Sequence, residues 1–176
     1  MKLAKYFFFL LSLVLLAACS QDFSDHLKTI DNLLYKYDNL EKNVLEVDVK
    51  DSKQQLIRYE DTIEEFKNRQ NNEQKPSKEI RSFINEFRTI KKTFKKVPKN
   101  VSFLKSSISQ NKTQLNNLKI DVNKNSFNKE DLKTIIDQES EAFRLLDSNY
   151  SNLELDIKNQ LEKFDSLIIL SSKIKF

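Results

Sequence analysis

Residues 80–122, IRSFINEFRTIKKTFKKVPKNVSFLKSSISQNKTQLNNLKIDV, decide the fold. Ile80, Phe87, Phe94, Val101, Ile108, Leu115 and Val122 recur every seven residues. Phe83, Ile90, Val97, Leu104 and Leu118 fill the companion positions, and Asn111 is the polar exception. Two α-helical turns take about 7.2 residues, so this spacing lines the apolar side chains along one helix face. Such a seam is stable only against other helices. Pro98 lies inside the pattern. It removes a backbone hydrogen bond and crowds the preceding turn, at about 3 kcal/mol in a helix interior. The register nevertheless passes through unshifted, which favours a kinked helix; the alternative is a break into two at Pro98.

Working outward, the preceding segment carries a second stripe. Phe23, Leu27, Ile30, Leu34 and Tyr37 alternate steps of four and three, as do Leu45, Val49, Ser52, Leu56, Tyr59, Ile63 and Phe66. The eleven-residue step from Leu34 to Leu45 makes the stripe drift around the helix. Residues 69–78, RQNNEQKPSK, are polar and aperiodic and read as a turn, with Ser77 the expected N-cap of the next helix. After the quoted stretch, VNKNSFNKEDL supplies a second turn. Asn128 is placed to cap, Glu130 and Asp131 put negative charge in the first helical turn, and Phe127 with Leu132 makes a hydrophobic staple. Ile136, Phe143, Tyr150, Ile157 and Phe164 then fall seven apart, with Leu132, Leu146, Leu153 and Leu167 beside them.

The expectation is therefore an all-α chain: an elongated antiparallel three-helix bundle or coiled coil, with helices over about 22–72, 77–123 and 128–173. Each would be about 70–77 Å long, and near-equal lengths with short turns favour an up-down-up arrangement. Seams this regular also suit a homo-oligomer. Composition agrees. The 176 residues include no Gly, two Pro and 32% charged side chains. Without glycine, phosphate-cradling loops and turn-rich β folds are disfavoured. One Cys and one His leave no internal disulfide and no ordinary zinc site, and no cofactor is implied.

The start of the chain locates the protein. Lys2 and Lys5 precede an apolar run of twelve, FFFLLSLVLLAA, residues 7–18. A helix of that length spans about 18 Å, short of the roughly 30 Å bilayer core, so it reads as a cleaved signal peptide over 1–18. Leu16-Ala17-Ala18-Cys19 follows the lipobox pattern, and here the chain resembles the bacterial lipoprotein class. The resemblance implies diacylation of the Cys19 thiol, cleavage before Cys19, and membrane attachment of a single helical domain over 19–176. Two acyl chains, at about 0.8 kcal/mol per buried methylene, hold a protein on a membrane. The location implied is a bacterial cell envelope. In a Gram-negative cell Ser20 is compatible with the outer membrane; in a Gram-positive cell the anchor would sit on the outer face of the cytoplasmic membrane. The pairing of a lipobox with charged helices also resembles, in composition alone, the cell-wall-binding lipoproteins of low-GC Gram-positive bacteria.

Charge divides unevenly. Residues 20–74 carry 8 Lys/Arg against 13 Asp/Glu, residues 75–124 carry 13 against 3, and residues 125–176 carry 7 against 10. A basic segment between two acidic ones is suited to fixing its own helix pairing. The sharpest cluster is Arg88, Lys91, Lys92, Lys95, Lys96 and Lys99, a candidate surface for anions or an acidic partner, set against a solvated face neutralised by its neighbours. His26 reads as structural. Glu139, Gln160 and Ser171 sit at seam positions, where they select register or line a pocket. Asn100, Asn111 and Asn149 begin Asn-X-Ser/Thr triplets, which carry no weight in a bacterial lipoprotein. Ile174 and Phe176 end the chain as the last turns of a packed helix or as a docking tail.

No catalytic constellation emerges, because Glu64-Glu65 and Glu130-Asp131 are neighbours in sequence and diverge around a helix. The functional expectation is a non-enzymatic structural, adaptor or binding module of the envelope. Its partners would be the membrane through Cys19, the cell wall or another envelope protein, and not nucleic acid. The alternatives are a surface-exposed adhesin-like lipoprotein and a carrier of a small ligand between helices.

Overall fold

The computed structural model describes residues 22–47, 49–70 and 78–171. Among them the chain is all-α, with helices α1 (Ser24–Glu46), α2 (Val49–Gln70), α3 (Lys78–Asn123) and α4 (Lys129–Ser171). Cys19 and the leader, the turn with Ser77, and the tail with Ile174 and Phe176 lie outside the described residues.

The single helix expected over 22–72 is two helices, and the heptad phase says why. Ile30, Tyr37 and Val44 are buried at intervals of seven, and so are Ser52 and Tyr59, but eight residues separate Val44 from Ser52. One extra residue turns a helix by about 100°, enough to carry the second row away from the core. The chain takes up that residue in an extended conformation at Val47, with φ −64° and ψ 106°. The irregular step is thus not the one from Leu34 to Leu45. Leu45 is 60% exposed, and Leu33 and Leu40 carry the buried companion row.

Around Pro98 the opposite holds. α3 runs unbroken from Lys78 to Asn123 with Pro98 inside it. Phe94, Val97, Val101 and Leu104 are all buried on either side of the proline. Burying a side chain of this kind contributes about 1.5–3 kcal/mol, so a few of them outweigh the proline cost that would otherwise break the helix.

The turn between α3 and α4 is built without glycine. Asn125 takes the left-handed conformation, with φ 55°. The Ser126 N–H donates to the Asp121 carbonyl at 3.2 Å and the Asn125 N–H to the Val122 carbonyl at 3.0 Å, which closes α3 with a Schellman motif. Asn128 then caps α4: its side-chain oxygen accepts from the Asp131 N–H at 2.8 Å. Phe127 is half-buried against the core cluster to which the buried Leu132 belongs, in keeping with a staple.

Cross-helix partners fix the directions. Lys119 pairs with Asp31, Lys112 with Asp38, and Lys91 with Glu60, so α3 runs antiparallel to both α1 and α2. Lys163 pairs with Glu86, whereas Asn100 and Leu104 lie beside Asn149 and Leu153, so α4 runs antiparallel to α3. One hydrophobic cluster joins all four helices, from Phe23 to Leu167. It is aromatic toward α2: the Tyr59 ring meets Phe164 edge-on at 4.2 Å and Phe94 at 5.6 Å. Toward α1 a second edge-on pair, Tyr37 with Phe143 at 5.0 Å, serves the same purpose.

Candidate functional site: the cationic outer face of α3

The buried rows of α3 divide its remaining positions into two flanks and an outer face. Lys91, Lys105, Lys112 and Lys119 each follow a seam position directly, on the flank that meets α1 and α2; Lys105 is exposed and makes no ion pair among the described residues, and the other three are paired. Lys91 Nζ lies 2.6 Å from Glu60. Lys112 Nζ bridges Asp38 at 2.7 Å and Glu41 at 2.6 Å. Hydrogen bonds first to Asp38 and then to Glu41 raise the Lys112 pKa above the ordinary lysine value. The hydrogen bond from Lys91, reinforced by its charge, holds the Glu60 carboxyl below the ordinary glutamate value, and Lys95 adds a smaller attraction. These lysines belong to the bundle.

The structure therefore separates the six clustered cations. Lys91 is spent on α2. Arg88, Lys92, Lys95, Lys96 and Lys99 are exposed, and none makes an ion pair among the described residues. Arg88 makes only a long 3.5 Å contact to the Asn85 side-chain oxygen on its own helix. Arg81 joins this group. It is exposed, and it stands seven residues before Arg88 and fourteen before Lys95, on the same row. Its seven-residue spacing was visible in the sequence, but counting cations in a short window passes over it. From Arg81 to Lys99 the face extends about 27 Å. Beyond Lys99 the outward positions change character: Ser102, Ser106, Ser109, Gln110, Thr113, Asn116 and Asn117 are uncharged and exposed, and Phe103 and Ile120 stand exposed among them.

Like charges three and four residues apart on a helix repel by a few tenths of a kcal/mol per pair. Lys92, Lys95, Lys96 and Lys99 contain several such pairs, so the face carries a standing electrostatic cost that a bound polyanion would relieve.

The other residues singled out from sequence fall elsewhere. His26 is half-buried near the start of α1, edge-on to Phe23 at 6.1 Å. A shallow groove beside it is lined by Asn128, Lys129, Glu130, Asp131 and Lys133. Asn111 is no surface residue: its amide donates to the Tyr37 hydroxyl at 2.8 Å. Glu139 is half-buried, and burial raises its pKa. Its charge in turn is felt at Tyr37, whose hydroxyl pKa burial raises first and Glu139 raises further. Gln160 buries its side-chain oxygen without a hydrogen-bond partner among the described residues. The Ser171 side chain lies outside what is described. Among the described residues no three or more His, Cys, Asp or Glu side chains converge to hold a metal, and no helix is long and apolar enough to cross a membrane. No protein-family model matches the chain, and neither does any curated protein or solved structure.

Proposed function

We propose that the chain is a non-enzymatic adaptor of a bacterial envelope: an elongated antiparallel rod of three limbs, with α1 and α2 forming one limb and α3 bending at Pro98. It is tethered to a membrane through acylated Cys19 and offers the outer face of α3 to an anionic partner. The observation that supports this is the division of α3's cations: Lys91, Lys112 and Lys119 pair with α1 and α2, whereas an outer row from Arg81 to Lys99, like the single flank residue Lys105, is exposed and makes no ion pair among the described residues. α1 begins five residues after Cys19 and runs antiparallel to α3. α1 thus starts at the Asn123 end of α3, so a tether at Cys19 would enter there, and the cationic stretch of α3 stands about 35–65 Å away along the helix. That distance favours a wall polymer or a neighbouring protein over the headgroups of the anchoring membrane, since attraction fades within a Debye length of about 8–10 Å.

Two measurements test the reading. Mass spectrometry of the processed protein should find Cys19 as a diacylated N-terminus, and an unmodified thiol removes the anchor. Cosedimentation of the unanchored Cys19→Ala protein with isolated envelope fragments should weaken steeply with salt. It should also be lost when Lys92, Lys95, Lys96 and Lys99 are all changed to Gln. Equal cosedimentation of both forms rejects the cationic face.

A further inference from the structure

The cationic face ends at a notch of about 310 Å³ between α3 and α4. Its volume is at the lower end of ligand sites, which run from roughly 300 to 1,000 Å³. Asn100 and Phe103 line it from α3; Asn149, Asn152 and Asp156 line it from α4. Leu104 and Leu153, both buried, close its base. Three features mark it out. Phe103 is 57% exposed, an aromatic ring facing water among the exposed outward residues Ser102, Ser106, Ser109 and Gln110 of α3. The three amides and the carboxylate make no side-chain hydrogen bond or ion pair among the described residues. By contrast Asn116 and Asn123 turn back onto their own helix, and Asn111 is used by Tyr37. Finally, Lys96 lies one turn before Asn100 and Lys99 one turn before Phe103, so the last two cations of the row border the notch.

We infer that this notch binds one ring of an anionic saccharide. A sugar ring offers C–H groups on one face and hydroxyls around its edge. An exposed aromatic face accepts the first, because its negative quadrupole attracts polarised C–H groups. Amides, each both donor and acceptor, match the second, and Asp156 adds a further acceptor for hydroxyl donors. The ring's acidic substituent would point toward α3, to Lys96 and Lys99, away from the Asp156 carboxylate on α4. Acidic groups on neighbouring rings would follow the row through Lys95 and Lys92 toward Arg88. The inference rests on the cationic-face reading above and adds the chemical class of the partner.

The test uses the fact that the chain has no tryptophan. Phe103→Trp places a single indole at the notch and keeps an aromatic face there. Adding oligogalacturonate, a uronic-acid saccharide, to the full lipidated protein in detergent should change that fluorescence; polyphosphate should bind without changing it. By calorimetry, Phe103→Ala or the double change Asn149→Ala/Asn152→Ala should weaken oligogalacturonate binding about tenfold and leave polyphosphate binding intact. Lys96→Gln/Lys99→Gln should weaken both. Circular dichroism checks that each variant stays helical. If Phe103→Ala leaves oligogalacturonate binding unchanged, the notch is overturned while the cationic face stands. If neutral oligogalactose binds as tightly as oligogalacturonate, the anionic assignment is overturned. If neither polyanion binds, the cationic face and the notch fall together.

Discussion

At Asn125 the chain does what glycine would normally do. The left-handed conformation costs most L-residues about 1–2 kcal/mol, and asparagine tolerates it better than others. Asn125→Ala should therefore lower stability by about 1 kcal/mol, whereas Asn125→Gly should preserve or raise it; urea denaturation of the two variants measures the difference. Glu139 makes the reverse case, a residue that works against the fold. Burial lifts its folded-state pKa above that of the unfolded chain. The folded state thus holds the proton more tightly, and stability falls as pH rises from the ordinary glutamate range through the raised value. Glu139→Gln should raise the melting temperature at neutral pH and lose its advantage in acid. Equal melting-temperature gains at pH 3 and pH 7 would assign the effect to packing.

At the scale of the element, periodicity explains one interruption and its absence elsewhere. α1 and α2 part because one residue too many lies between Val44 and Ser52. Deleting Asp48 restores a spacing of seven, so the two helices should fuse. Amide exchange at residues 45–51 should then slow to match the flanking helix; unchanged fast exchange would mean that the break has another cause. α3 stays whole across Pro98 because its two buried rows keep phase there and the packing on both sides exceeds the proline's cost. The flanking ion pairs, mostly with one partner well exposed, add little stability each. Their spacing along α3 selects which residues of α1 and α2 it faces, which is a matter of register.

At the scale of the whole molecule, one continuous cluster links all four helices, so damage at one point should be felt throughout. Phe164 touches Tyr59 and Phe87, and the Arg58 guanidinium sits 5.3 Å from its ring centre. Phe164→Ala should cost about 3–5 kcal/mol while the thermal transition remains single. Two resolved transitions would divide the chain into independently melting parts.

Much of this was legible in the chain itself. Helix type, the α3 seam from Ile80 to Val122, the Asn128 cap and the Phe127–Leu132 staple all follow from local spacing and capping chemistry, which act within a few residues. The division between α1 and α2 was legible only in part, because Leu34 and Leu45 made as plausible a stripe as Leu33, Leu40 and Val44 until a partner helix chose between them. The function of each cation was not legible at all. Lys91 and Lys92 are adjacent and chemically identical, yet one meets Glu60 and the other faces water. About 100° of helical rotation separates them, and only the placement of α2 gives that rotation a consequence. The same holds for the notch, whose walls lie some fifty residues apart in sequence and meet only because α3 and α4 pack antiparallel.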